Sequence, residues 1–128
     1  MNNELVRKVG DSPVDNLINS TVPPALTTGV HVRAGQGILA RGTVLALSSD
    51  GEDMVILGTT LDDEELLIAN SILADPVDAS GTDAAPAIAY RTGHFNRPAL
   101  IVAEGYVMTR TDEEDLRKGG ILLSDALA

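Results

Sequence analysis

The sequence predicts a β-rich α+β fold, in which a small body of short strands carries one short C-terminal helix and a flexible N-terminal arm. Three observations predict it. After about residue 35, apolar and β-branched runs alternate with turns rich in Gly and Asp. A helix-capping spacing followed by two glycines occurs near the C-terminus. The first 34 residues are instead rich in Pro, Asn and Thr. With 128 residues the chain has the length of one domain, which we divide into an arm, residues 1–34, and a body, residues 35–128.

The predicted arm has no sustained apolar period. Its prolines, among them Pro23 and Pro24, remove backbone donors and favour extended conformations in the residues before them. Short apolar clusters, Leu17-Ile18 and Val22, stand among polar residues. We interpret them as anchoring residues within a flexible segment. The alternative is an unstructured terminus with no binding role.

A β-hairpin is predicted around Asp50-Gly51, a strong turn signal. The strand-type runs 43–47 and 54–57 flank this turn, so they are expected to pair. A third run covers about residues 66–77 and ends in the turn-rich segment 78–83.

The start of the third run is ambiguous. Thr60 and the acids 62–65 also fit the first turn of a helix, with an apolar stripe beginning at Leu66. We favour a strand from about residue 67, but the pattern alone leaves the helix open.

The second half of the body contains a predicted strand at 87–90 and a predicted strand pair, 99–102 with 106–108, turned at Glu104-Gly105. These runs are apolar and bounded by glycines.

The C-terminal helix is predicted from Thr111 and Glu114, which have the spacing of a capping box. Acids in its first turn and bases in its last turn suit the helix dipole, and Gly119-Gly120 end it. Residues 121–123 then return to the core as a strand.

Composition excludes several classes of function. The chain has no cysteine and a net charge of −10, and only Tyr90, Phe95 and Tyr106 are aromatic. Residues 1–36 balance three basic against three acidic residues, so the whole negative charge lies in the remainder. Such a polyanion is repelled by phosphate backbones and has no stacking platform for bases. No apolar run approaches the roughly 20 residues of a membrane-spanning helix. We therefore expect no nucleic-acid partner and no membrane partner.

No motif predicts an active site or a cofactor site. His94 follows a glycine and is interpreted as a turn residue. The segment 35–40 matches a relaxed dinucleotide-binding fingerprint, but that fingerprint is meaningful only between a strand and a helix, and this segment does not lie between them. Asp75, Asp78 and Asp83 lack the ligand spacing of a calcium loop. We predict no catalytic, metal-binding or cofactor-binding residues and no enzyme. Two alternatives stay open: a small cytoplasmic β-rich enzyme that uses His94, and a Ca²⁺-binding module.

Five segments carry a resemblance to a known family. They are 15–18 (DNLI), 35–45 (GQGILARGTVL), 72–81 (ILADPVDASG), 93–96 (GHFN) and 116–123 (LRKGGILL). In this order and at these spacings they resemble the head decoration proteins of tailed phages. The resemblance spans residues 15–123. His94 departs from it, since an acidic residue is expected there, and so does the acidic segment 52–66.

The resemblance implies a body of the small β-barrel or β-tulip kind, assembled as a homotrimer on the outer surface of the expanded phage head. The protein would be made in the cytoplasm of the bacterial host and would stabilise the virion capsid. Its implied partner is the major capsid protein of a tailed phage or prophage. The residues implied for the capsid-binding arm are Asp15, Asn16, Leu17, Ile18, Val22, Pro23 and Pro24. Those implied for body or trimer packing are Gly35, Gly37, Arg41, Gly42, Phe95, Asn96 and Leu116.

Overall fold

A computed structural model describes residues 16–48, 53–59 and 67–125 of the chain. Within these residues the fold is strand-rich, with one α-helix near the C-terminus, which confirms the predicted fold class. The strands are β1 (Ile18–Ser20), β2 (Thr27–Val32), β3 (Gly37–Leu39), β4 (Val44–Ser48), β5 (Met54–Ile56), β6 (Leu67–Leu73), β7 (Val77–Ala79), β8 (Ala85–Tyr90), β9 (Gly93–Asn96) and β10 (Ile121–Ser124). A 3-10 helix covers Arg97–Ala99, and the α-helix, α1, covers Arg110–Gly119.

Five strands close a barrel in the order β2-β5-β4-β6-β8, with β8 pairing back to β2. The predicted pairing of β4 with β5 is confirmed, since Leu47 lies opposite Met54; its turn lies outside the described residues. The strand preferred from residue 67 is confirmed as β6, and the possible helix start at 60–66 lies outside the described residues. Closure depends on β2 and β8, which pair over six residues from Thr27↔Tyr90 to Val32↔Ala85.

Strand β4 separates two apolar clusters. Val44 and Ala46 point into a cluster that contains Phe95, whereas Leu45 points into the barrel interior with Val32. Because side chains alternate along a strand, both faces of β4 are covered, which explains its uninterrupted apolar sequence. The apolar content of residues 43–47 therefore reflects a central position in the fold.

A smaller sheet, β1-β9-β10, closes the Phe95 cluster from the other side. Strand β1 is antiparallel to β9, and β10 is parallel to it. Gly93 begins β9 with φ +147, and a Cβ at this position would lie 2.7 Å from the Phe95 ring. Glycine is thus required for the ring to fold back against its own strand.

The described part of the predicted arm contributes to this body. Residues 16–34 contain β1 and β2, so a barrel strand lies on the arm side of the predicted boundary at residue 34. Residues 1–15 lie outside the described residues.

The predicted strand pair 99–102 with 106–108 is wrong. Pro98 stands in the first turn of the 3-10 helix, and the following residues use their backbone groups elsewhere. Ile101 bridges to Thr43, and the Ala103 N–H donates to the Leu57 carbonyl at 2.9 Å. A turn does occur, because the Tyr106 N–H donates to the Ala103 carbonyl, but no hairpin strands flank it.

The helix α1 begins two residues earlier than predicted. Its N-cap is Thr109, whose hydroxyl accepts from the Asp112 N–H at 3.1 Å, and the Asp112 carboxylate accepts in return from the Thr109 N–H. The spacing Thr109–Asp112 equals the predicted spacing Thr111–Glu114, so the pattern does not distinguish them. The Tyr106 phenol also donates to Asp112, which favours the earlier start.

Replacing Tyr106 by Phe is expected to remove a pH-dependent contribution to stability. The hydrogen bond to Asp112, together with partial burial, raises the pKa of the Tyr106 phenol above its ordinary value. The contact contributes its full stabilising free energy below about pH 10, the ordinary pKa of a tyrosine. This contribution is lost as the pH rises through the higher pKa of Tyr106 in the folded protein. Denaturant unfolding should give wild type an advantage of about 1 kcal/mol over Tyr106→Phe at neutral pH. That advantage should shrink above about pH 10; a difference that stays constant with pH would contradict the assignment.

Candidate functional site

A cluster of polar contacts ties strand β1 to the C-terminal strand. The Asn19 amide donates to the Ser124 carbonyl at 3.0 Å and to the Ser124 hydroxyl at 2.9 Å. The His94 Nε2 atom lies 2.7 Å from the same hydroxyl. The two Asn19–Ser124 hydrogen bonds cross 105 residues of sequence, so they fix the N-terminal strand to the far end of the described chain.

The Ser124–His94 pair has one feature of a nucleophile and its base, a hydrogen bond of 2.7 Å. A catalytic histidine also needs a group that orients its second ring nitrogen. Among the described residues, His94 has a hydrogen bond to Ser124 and none to a carboxylate, and the Asn19 amide also occupies the Ser124 hydroxyl. This arrangement fits a polar contact between strands better than a reacting pair.

A cleft of about 410 Å³ lies beside this pair, where β9 and β10 meet α1. Its charged groups are paired with each other. Arg97 binds Glu113 through two hydrogen bonds and Asp125 through a third at 2.8 Å, which raises the pKa of the Arg97 guanidinium. The Arg117 guanidinium lies beside Glu114 and lowers the pKa of that carboxyl. The cleft therefore presents neutralised ion pairs to a ligand.

The aspartates of the calcium alternative do not converge on a common point. Asp78 accepts hydrogen bonds from the Ser80 N–H and hydroxyl, which lowers the pKa of the Asp78 carboxyl and closes a local turn. In the described ranges, no group of three His, Cys, Asp or Glu side chains is placed to hold a metal ion. No helix among those residues is long and apolar enough to cross a membrane.

The described residues predicted for partner binding lie directly before β1, on β1 and in the loop that follows it, but differ in exposure. Leu17 is 3% exposed and packs in the Phe95 cluster, so its side chain is part of the body. Ile18 is 37% exposed and Val22 is 74% exposed. Asn16 and Pro24 are exposed and Pro23 is half-buried, whereas Asp15 lies outside the described residues.

The loop after β1 is held in place by Thr92, a residue that no sequence pattern indicates as part of the site. The Thr92 hydroxyl donates to the Pro24 carbonyl at 2.8 Å and accepts from the Leu26 N–H at 3.2 Å. The Arg91 N–H donates to the Leu26 carbonyl at 2.8 Å. The loop therefore presents Val22 and Pro24 from a fixed position.

The residues predicted for body or trimer packing have roles within the protomer. Arg41 donates to the Ala74 carbonyl at 3.0 Å and to the Tyr90 hydroxyl at 2.6 Å, with its guanidinium 5.3 Å from the centre of the Tyr90 ring. Phe95 and Leu116 are fully buried. The remaining four are Gly35, Gly37 and Gly42, which have positive φ, and Asn96, which is 5% exposed and donates its N–H to the Leu17 carbonyl.

Comparison with known proteins identifies the family. No curated protein matches the chain. The family model described as bacteriophage lambda head decoration protein D matches residues 9–121, most of the chain and nearly all of the described body. That range includes β1, the loop held by Thr92 and the whole barrel. The chain therefore belongs to the family of the bacteriophage lambda head decoration protein D, a family of structural capsid proteins.

Proposed function

We propose that the protein binds the outer surface of the expanded head of a tailed phage or prophage as a homotrimer and stabilises that shell. The observation that carries the proposal is the family match over residues 9–121. The partner would be the major capsid protein, and the site of action the virion surface after synthesis in the host cytoplasm. The protein would act by binding alone, without catalysis or a cofactor.

The proposed stabilisation follows from mass action. A ligand that binds the assembled lattice and not its separated subunits lowers the free energy of the lattice by RT ln(1 + [L]/Kd). A trimer attaches through three equivalent surfaces, so the second and third contacts form at a high effective concentration. Weak single contacts can thus give a long residence time on the shell.

We propose that the capsid contact is formed by β1 and the loop after it, which we call the anchor surface: Ile18, Val22, Pro23 and Pro24. Strand β1 is the edge of its sheet, so a capsid strand can add to it through main-chain hydrogen bonds. Ile18 and Val22 offer exposed apolar area beside that edge. Because Thr92 already fixes the loop, binding costs little ordering entropy. Leu17 supports the surface from beneath.

The double variant Ile18→Asp plus Val22→Asp is expected to lose attachment to expanded capsids without losing its fold. Burying one aliphatic side chain contributes about 1.5–3 kcal/mol, so the apparent affinity should fall at least about tenfold. Occupancy is measured by sedimenting capsids with increasing amounts of protein and quantifying the bound fraction.

The matched control is Val107→Asp, which changes an apolar side chain that is 81% exposed in the loop before α1. It should bind like wild type, and both variants should keep the wild-type melting temperature. Unchanged occupancy for the double variant would refute the anchor surface. Equal loss in the control would assign the effect to general charge repulsion.

A further inference from the structure

The barrel carries a cleft whose lining includes none of the four anchor-surface residues. It has a volume of about 350 Å³ and is lined by Thr28, Val30, Met54, Asn70, Arg91 and Gly119. These residues come from β2, β5 and β6, with Arg91 directly after β8 and Gly119 at the end of α1. Its wall is apolar at Val30 and Met54, with a polar rim.

The rim carries a positively charged side chain, that of Arg91. The Arg91 side chain is exposed and makes no ion pair or hydrogen bond with the rest of the described chain. The whole chain has a net charge of −10, with only six basic residues after position 36. An exposed cation on such a molecule attracts an acidic surface, and the other copies of this chain supply many.

A complementary surface lies on the two-stranded sheet of β3 and β7. Ile38 is 78% exposed and lies directly opposite Asp78 in this pair. Asp83, in the turn after β7, is also exposed. We call Ile38, Asp78 and Asp83 the ribbon surface. The ribbon surface combines one projecting apolar side chain with two carboxylates. The cleft combines an apolar wall with a guanidinium, so the two surfaces are complementary in both respects.

The Asp83 carboxylate and the Arg91 guanidinium belong to residues at opposite ends of β8. Asp83 comes shortly before the start of β8, and Arg91 directly follows its end. Six strand residues span about 20 Å, so Asp83 and Arg91 of one protomer cannot contact each other. When two different patches of the same protein fit each other, they produce a head-to-tail contact between copies. Such contacts close into a ring when the rotation that relates one copy to the next divides a full turn evenly.

We infer that the homotrimer is built head to tail, with Ile38 of one copy seated in the cleft of the next and Asp78 of that copy facing Arg91. This inference rests on the proposed function, which requires the trimer, and adds the surfaces that form it. The contact places an attractive pair between subunits that otherwise repel each other.

Cysteine cross-linking tests the contact, because the natural chain has no cysteine. The variant Ile38→Cys plus Asn70→Cys is treated with a short bis-maleimide, both in solution and bound to expanded capsids. Products are separated on a denaturing gel. A head-to-tail ring joins position 38 of each copy to position 70 of the next, so covalent species of two and three copies are expected, ending at three. Either single variant should remain uncrosslinked.

A further variant tests the charge pair. Arg91→Glu in the double-cysteine background should reduce the three-copy product at least tenfold, and Arg91→Lys should restore much of it. Two-copy product from a single-cysteine variant would indicate a symmetric contact and overturn the inference. Absence of product from the double-cysteine variant, while light scattering or capsid density gives three copies, would overturn the surfaces but keep the trimer. Single copies both in solution and on capsids would overturn the trimer itself.

Discussion

Removal of residues 1–34 is expected to abolish folding, whereas a chain that starts at Asn16 is expected to fold. The longer truncation deletes β2, which closes the barrel against β8, and it deletes β1. Two buried side chains go with them, Leu17 at 3% exposure and Val32 at 0%. Loss of one buried aliphatic side chain costs about 2–5 kcal/mol, and a domain has about 5–15 kcal/mol in total. With the strand pairing also lost, the remaining chain should have no cooperative melting transition.

A matched pair of point variants tests the same boundary with less disturbance. Leu17→Ala removes a core side chain and should cost about 2–5 kcal/mol in denaturant unfolding. Ile18→Ala changes its exposed neighbour and should stay within about 0.5 kcal/mol of wild type. A folded, cooperative protein from residues 35–128 would contradict the account, as would equal effects of the two point variants.

The elements that sequence patterns predicted correctly are those specified by neighbouring residues. The β4–β5 pair forms around a local turn signal, and β10 follows the glycines that end α1. The helix itself was predicted, but its first residue was not, because two Thr residues have an acid three positions later. Only the contact from Tyr106, outside the helix, selects Thr109.

Long-range pairing explains most of what the sequence did not predict. Strand β2 contains Thr28, Val30 and Val32 at the alternating spacing of a strand, but the prolines before it suggested an unstructured arm. Its partner β8 lies more than 50 residues away, and no local pattern indicates that pairing. Pro98 indicates a break in strand structure at the 3-10 helix, but the apolar run after it led to the prediction of a strand.

The residues of the candidate site were selected from the sequence, whereas their individual exposure and contacts were not predicted. The segment around Ile18 and Val22 was selected as apolar residues in a polar context, and both are exposed. Leu17 has the same local context, yet the pairing of β1 with β9 turns it into the core. Thr92 and Ser124 organise the site through contacts with β1 and its loop, and their short polar side chains carry no signal in the sequence.

Bound protein is expected to raise the temperature at which filled capsids release their genome. At a hundredfold excess over Kd, binding to the intact lattice alone stabilises it by about 2.7 kcal/mol per site. Since a rupturing region contains several sites, the combined effect should be a clear shift of the release curve. His94→Ala should preserve this shift, because the mechanism uses no proton transfer. Among the described residues, the variant loses the hydrogen bond to Ser124.

The decisive measurement heats filled, expanded capsids in parallel, undecorated and at full occupancy, and scores genome release with a DNA-binding dye. The variant Ile18→Asp plus Val22→Asp serves as the non-binding control at the same protein concentration. We predict release at a higher temperature for the decorated capsids, with the control matching the undecorated ones. Coincident release curves at full measured occupancy would contradict the stabilising role.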